Sequence, residues 1–174
     1  MKVMKKQLAI PRRPRLIVDD GAIGRLPTIL AEEGVRAPAL VTGGRSVRGK
    51  EAWSLLTDAL LDAGYEFVDF TVRGEPSPDV VDGIYREIRA TLPTCDGVVA
   101  IGGGSVVDAA KATAALVGMD AADADKGVKA YLEGVGSSAP SGATVPVIAY
   151  PTTAGTGSEA TKNAVISEVG EGGF

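Results

Sequence analysis

An α/β fold is expected, a Rossmann-like parallel sheet with helices on both faces, and three observations predict it. Short β-type runs alternate with segments whose apolar residues recur at helical spacing, as in a sheet whose strands are joined by helical crossovers. Val98-Val99-Ala100-Ile101 is apolar throughout, which suits a strand buried on both faces. Glycine accounts for 23 of 174 residues, about twice the usual ~7% and with no collagen period. The backbone must therefore turn sharply, or approach something closely, at several places.

Each element has its own justification. Leu16-Ile17-Val18 predicts a first strand, ended by Asp19-Asp20-Gly21. A short helix fits Gly24 to Glu33, with Gly34 as its stop. Ala39 to Thr42 predicts a second strand that breaks at Gly43-Gly44. Ala52, Leu55, Leu56, Ala59, Leu60 and Ala63 then fall on one helical stripe. Glu66 to Phe70 predicts a third strand. Ser77-Pro78 pairs an N-cap with proline at the first helical position, where its missing N–H costs nothing. Val81, Ile84, Tyr85, Ile88 and Leu92 continue that helix as one apolar face. After the strand Val98 to Ile101, the alanine-rich segment Ser105 to Val117 predicts a closely packed helix. Asp120 to Gly142 reads as a loose connection with one helical turn around Lys129 to Leu132. Val145 to Ala149 predicts a fifth strand and Asn163 to Ser167 a short sixth.

Composition narrows the function. A net charge of -4 argues against a general nucleic-acid binder. There is no histidine, which excludes Ser-His-Asp and Cys-His catalysis and any histidine-ligated metal within this stretch. The single Cys95 cannot form an internal disulfide, so a reducing compartment, the cytoplasm, is the expected address. No apolar run approaches the ~18 residues of a membrane span. Residues 1–14 read as a basic arm without the apolar core of a secretory signal, and residues 15–174 as one domain. The tail from Glu168 ends in Gly-Gly-Phe with no closing element, as expected of a segment of something longer.

Three turns carry the candidate chemistry. Gly102-Gly103-Gly104-Ser105-Val106-Val107-Asp108 follows the buried strand and opens a helix. Glycines there let backbone approach an anion, and the free N–H groups of a helix start point at it, so Gly103, Gly104 and Ser105 read as a phosphate cradle. Ser105 is expected as the N-cap. Asp108 reads either as its capping-box partner or as a polar contact on the nicotinamide side. Val107 stands where the common dinucleotide fingerprint has its third glycine or alanine, and Gly155, Gly157 and Ala160 match that pattern only ahead of a β-like segment. The second turn, Pro151 to Glu159, follows a strand and is rich in threonine, serine and glycine, short donors suited to phosphate, ribose or amide. Ligands of open parallel sheets bind beyond the carboxyl ends of strands, so the two turns are expected to face one ligand. The third, Thr42-Gly43-Gly44-Arg45-Ser46, has no acidic residue to bind a ribose 2′-hydroxyl and has Arg45, which suits a 2′-phosphate.

At these residues the sequence resembles the iron-containing (group III) alcohol dehydrogenase family. The family's G-G-G-S-x-x-D-x-A-K stretch stands at Gly102 to Lys111 and its P-T-T-A-G-T-x-S-E stretch at Pro151 to Glu159, both without mismatch. Glu75-Pro76-Ser77-Pro78 is similar to its E-P-N-P turn. The resemblance implies a nucleotide-binding domain, over residues 15–174, of an NAD(P)- and metal-dependent alcohol dehydrogenase that moves hydride between a nicotinamide cofactor and a small alcohol or aldehyde. It implies that Gly103, Gly104 and Ser105 take the pyrophosphate. Thr152, Thr153 and Thr156 would line the ribose and nicotinamide side with Asn163 nearby, and Asp108 would sit near the nicotinamide. Gly43 stands where NAD-preferring relatives carry aspartate, which leans to NADP over NAD. The family's Fe²⁺, or another divalent ion, is held by an aspartate and histidines in a helical domain that this chain lacks, so the chain alone is expected to be inactive. A homo-oligomer is expected. Two other readings stay open: a non-catalytic nucleotide-binding module, and an enzyme like glycerol dehydrogenase or dehydroquinate synthase.

Overall fold

The structure, a computed structural model, describes residues 14–167. The basic arm expected over residues 1–14, apart from Pro14, and the tail from Glu168 lie outside the described residues. A 3-10 turn at Ala22–Arg25 leads into helix α1 (Leu26–Glu32), then strand β1 (Pro38–Thr42) and helices α2 (Arg45–Arg48) and α3 (Glu51–Asp62). Strand β2 (Val68–Thr71), helix α4 (Pro78–Thr91), strand β3 (Gly97–Gly102) and helix α5 (Gly104–Gly118) follow. The short α6 (Ala121–Ala124), a 3-10 turn at Val128–Tyr131 and strand β4 (Val147–Pro151) come next. All strand pairs are parallel, in the order β2-β1-β3-β4. The chain grows outward from β1 to β2, then returns to the far side of β1 for β3. That reversal opens a crevice between the ends of β1 and β3, where ligands of such sheets bind.

Alternation of side chains along the strands makes three layers. Ala39, Val41, Val98 and Ala100 pack with Ile84 and Ile88 of α4 and with Val107 and Ala110 of α5. Leu40, Val99 and Ile101 pack on the opposite face with Leu26 and Leu30 of α1 and Leu56 and Leu60 of α3. Strands β1 and β3 are buried at every position. A third cluster, with Val81, Tyr85, Leu116, Ala124 and Val128, ties α6 and the following turn to α4 and α5. Ser77 caps α4 as expected, its hydroxyl accepting from the Val80 N–H at 3.4 Å. Gly34, at φ 75°, ends the region of α1, and Asp96 accepts from the Arg36 and Ala37 N–H groups to steer the chain into β1.

Three expectations are corrected. Leu16 to Val18 is not a strand: Leu16 and Val18 are 84% and 86% exposed, and among the described residues no neighbouring strand takes up their backbone groups. Asn163 to Ser167 is not a strand either. Its backbone groups go elsewhere: the Asn163 carbonyl accepts from Lys111 and the Ser167 N–H donates to the Pro76 carbonyl. The buried face of α3 is rotated from the expected stripe. Leu56 and Leu60 are buried and Trp53 half-buried, whereas Ala52 and Ala63 are exposed and Leu55 is 62% exposed. Trp53 has more apolar surface to bury than Ala52, and its ring lies 5.1 Å from the Arg48 guanidinium.

Candidate functional site

Strand register brings the three turns to one edge. Thr42 of β1 pairs with Ile101 of β3, and Gly102 pairs with Pro151 of β4, so all three chains leave the sheet side by side. The Gly43 N–H donates to the Ile101 carbonyl at 3.1 Å, and the Thr152 N–H to the Gly102 carbonyl at 2.9 Å.

In the central turn Gly103 is extended and precedes α5, whose first residue is Gly104. The Val106 and Val107 N–H groups close on the Gly103 carbonyl at 3.0 and 3.1 Å. Gly103, not Ser105, is therefore the N-cap, and no side chain caps the helix. Ser105 is the second helical residue, and the capping-box alternative for Asp108 falls with it. The Gly104 and Ser105 N–H groups belong to the first turn, which has no carbonyl one turn back. With the positive end of the helix dipole they make a corner whose chemistry suits an anion.

The threonine turn lies directly on this corner. A Cβ added at Gly103 would meet Thr153 Oγ1 at 3.1 Å, and one at Gly104 would meet Thr156 Cγ2 at 2.7 Å and its Oγ1 at 2.9 Å. The glycines thus admit the second turn, and the two turns form one surface. Thr152, Thr153 and Thr156 are exposed, a shelf of hydroxyls beside the helix start. Ser158, by contrast, is buried and donates to Asp108 Oδ2 at 3.2 Å.

Asp108, 6% exposed, turns toward the turn that follows the shelf. The Lys111 ammonium lies 2.9 Å from Asp108 Oδ1, outside hydrogen-bond alignment. It donates to the Ser158 carbonyl (2.8 Å), to Thr161 Oγ1 (3.2 Å) and to the Asn163 carbonyl. Asn163 is thus joined to the site through its carbonyl, and the residue is exposed. The sequence alone gives Lys111 and Ser158 no role, although each is a fixed position of a family stretch and Lys111 stands at i, i+3 from Asp108 on one helix.

At the third turn, Arg45 opens α2 and the Gly44 carbonyl accepts from the Val47 and Arg48 N–H groups. Arg48, unremarked in sequence, donates to Thr42 Oγ1 at 3.0 Å, pairs with Asp69 of β2 and lies over Trp53. Its charge is already matched at the strand ends.

Comparison with known proteins settles the lineage. The profile of the family described as iron-containing alcohol dehydrogenase matches residues 13–172. The chain belongs to the iron-containing alcohol dehydrogenase family. It is 40% identical over 149 residues to a phosphonoacetaldehyde reductase of Streptomyces viridochromogenes, covering 83% of this chain and 35% of that one. An NADH-dependent butanol dehydrogenase A from Thermotoga maritima superposes with a TM-score of 0.73 at 26% identity, over 91% of this chain and 38% of the other. A sulfoacetaldehyde reductase from Bifidobacterium kashiwanohense, solved with NAD+, gives 0.70 at 32% identity, over 84% and 36%. The chain thus spans about a third of the length of these family members.

The chemistry of the residues present suits a nicotinamide dinucleotide: free N–H groups at a helix start beside a shelf of exposed threonine hydroxyls, at the switch point of the sheet. A family metal ion does not fit them. The sequence has no histidine, and among the described residues no three His, Cys, Asp or Glu side chains are grouped to hold one. Among those residues no helix is long and apolar enough to cross a membrane.

Proposed function

We propose that this chain binds the nicotinamide dinucleotide of an alcohol dehydrogenase or aldehyde reductase acting on a small alcohol or aldehyde. The observation that carries the reading is the seating of Thr153 and Thr156 against Gly103 and Gly104 at the switch point of the sheet. In this reading the pyrophosphate lies on the first turn of α5, held by the Gly104 and Ser105 N–H groups, the Ser105 hydroxyl and the helix dipole. Thr152, Thr153 and Thr156 receive the nicotinamide end of the cofactor. Bound nicotinamide supplies hydride transfer to and from a carbonyl carbon. The chain's own residues bind and orient it. Asp108 serves the same end of the site from beneath, through Ser158 and Lys111, and Asn163 through its carbonyl.

The adenosine end extends past Gly43. No carboxylate occupies residues 43–46, and Arg45 begins α2, so NADP is favoured over NAD. Titration calorimetry of the full chain with NADPH, NADH and ADP tests the reading. Saturable binding is expected, tighter for NADPH, and Arg45→Ala should weaken NADPH more than NADH. Equal effects on both cofactors would remove the argument for NADP, and no saturable binding of any of the three would overturn the reading.

A second reading, a nucleotide-binding module without catalysis of its own, rests on the same glycine corner and threonine shelf. Assays with NADPH, a short aldehyde and Fe²⁺ separate the two. Metal-stimulated turnover by the 174-residue chain would rule out the module.

A further inference from the structure

We propose that Lys111, with Asp108 beneath it, is the positioning residue that sets the threonine shelf against the glycine corner. The proposal rests on the nucleotide-binding reading and assigns these two residues a part in it.

An ammonium has three N–H donors, and all three of Lys111 are spent on one short stretch of chain. They go to the Ser158 carbonyl, Thr161 Oγ1 and the Asn163 carbonyl. The 158–163 segment is wrapped around a single cation that projects from α5. Thr161 Oγ1 lies 3.4 Å from each of the two carbonyls and can donate to either, which tightens the ring. The Lys111 side chain is only 13% exposed, so its charge needs a counter-ion. Asp108 supplies it at 2.9 Å, one helical turn back, while its other oxygen accepts from Ser158 Oγ.

The shelf is therefore fixed at both ends to the strand-and-helix unit that carries the corner. At its start the Thr152 N–H is bound to the Gly102 carbonyl at the end of β3. At its finish Ser158 is bound to Asp108 and Lys111 of α5. Residues 153–157 span the gap between these anchors, with Thr153 and Thr156 pressed onto Gly103 and Gly104. Releasing the second anchor frees the nicotinamide side of the site and leaves the phosphate corner, built by β3 and α5, intact. This separation distinguishes positioning from a general contribution to stability.

The test uses the full chain carrying Asp108→Asn together with Lys111→Met, which removes both charges and leaves no unpaired buried ion. The NADPH affinity should fall on the order of tenfold, the scale of a lost charge-assisted hydrogen bond. ADP, which reports the corner alone, should change by no more than about twofold. Without nucleotide, amide hydrogen exchange should quicken across residues 152–163 while β1 and β3 stay protected. Wild-type NADPH affinity in the double variant, equal losses of NADPH and ADP, or unchanged exchange in the shelf would each overturn the proposal. If the double variant does not fold, Lys111→Arg takes its place. It keeps the charge but presents a planar fork to three converging acceptors, so the same split between NADPH and ADP is expected, and its absence has the same force. A wild-type chain that binds neither nucleotide defeats the functional reading, and the exchange measurement then still decides whether Lys111 holds the shelf.

Discussion

Gly104 has no room for a side chain, because an added Cβ would lie 2.9 Å from Thr156 Cβ, an atom fixed to its own backbone. Only movement of the shelf could relieve that clash, so Gly104→Ala should weaken nucleotide binding by displacing Thr156. Thr156→Gly, which removes the obstruction, should weaken binding when made alone yet recover part of the loss when combined with Gly104→Ala. A coupling of about 0.5–3 kcal/mol is expected between touching residues. Calorimetry on the four chains measures it, and simple additivity would mean that the two turns do not meet in solution. The residues of both turns were legible in the sequence because glycine and threonine strings after buried strands have few other uses. Their contact was legible only as an expectation drawn from where ligands sit in parallel sheets. Lys111 was visible only as the last fixed position of the first stretch, and its role was not legible because its partners lie 47–52 residues further along the chain. No local pattern encodes a cation whose acceptors are carbonyls. Ser105 was expected as the N-cap two residues too late for a related reason: glycine at the N-cap, here Gly103, leaves no side-chain signature.

The elements divide the same way. Helix α4 was legible in full, since Ser77-Pro78 marks its start and Val81, Ile84, Tyr85 and Ile88 are buried as the spacing requires. Strand β3 was equally plain, because Val98-Val99-Ala100-Ile101 is apolar throughout, as burial on both faces favours. The two false strands, Leu16–Val18 and Asn163–Ser167, have β-type composition, but a strand exists only when a neighbour accepts its hydrogen bonds. Helix α3 shows the limit of periodicity: its sequence carries two adjacent apolar stripes, and packing selects the one with Trp53, Leu56 and Leu60. That selection has a measurable consequence. Leu60→Ala, emptying a fully buried site between α3 and the sheet, should cost about 2–5 kcal/mol. Leu55→Ala, on the exposed side, should stay within about 0.5 kcal/mol of wild type. Urea unfolding of the two variants gives the comparison, and a larger loss for Leu55 would restore the stripe first expected.

Across the whole molecule, the lack of histidine governs how stability depends on pH. No side chain titrates ordinarily between the carboxylates and the single thiol, so the folded state should hold constant stability from neutral pH to about 8.5. Above that, three buried or half-buried acids take over. Burial pushes the Cys95 thiol up, with the nearby Asp96 carboxylate adding to it. The Tyr85 phenol is raised by burial and by Asp125, and Tyr150 by burial in β4. Strand β4 is one edge of the sheet, and its Val147 to Tyr150 are half-covered where the residues of β1 and β3 are buried. A group whose folded value is raised releases its proton more readily when unfolded. Its contribution is therefore complete below the unfolded value and is lost as pH rises through the folded one. The urea midpoint should begin to fall above about pH 8.5, where an unfolded thiol ionises, and fall more steeply above about pH 10 as the tyrosines join. Cys95→Ala should erase the first decline and keep the second. If the two chains decline together from pH 8.5, the thiol is not the group that links alkali to unfolding, and its half-burial against the core has no role in the pH response.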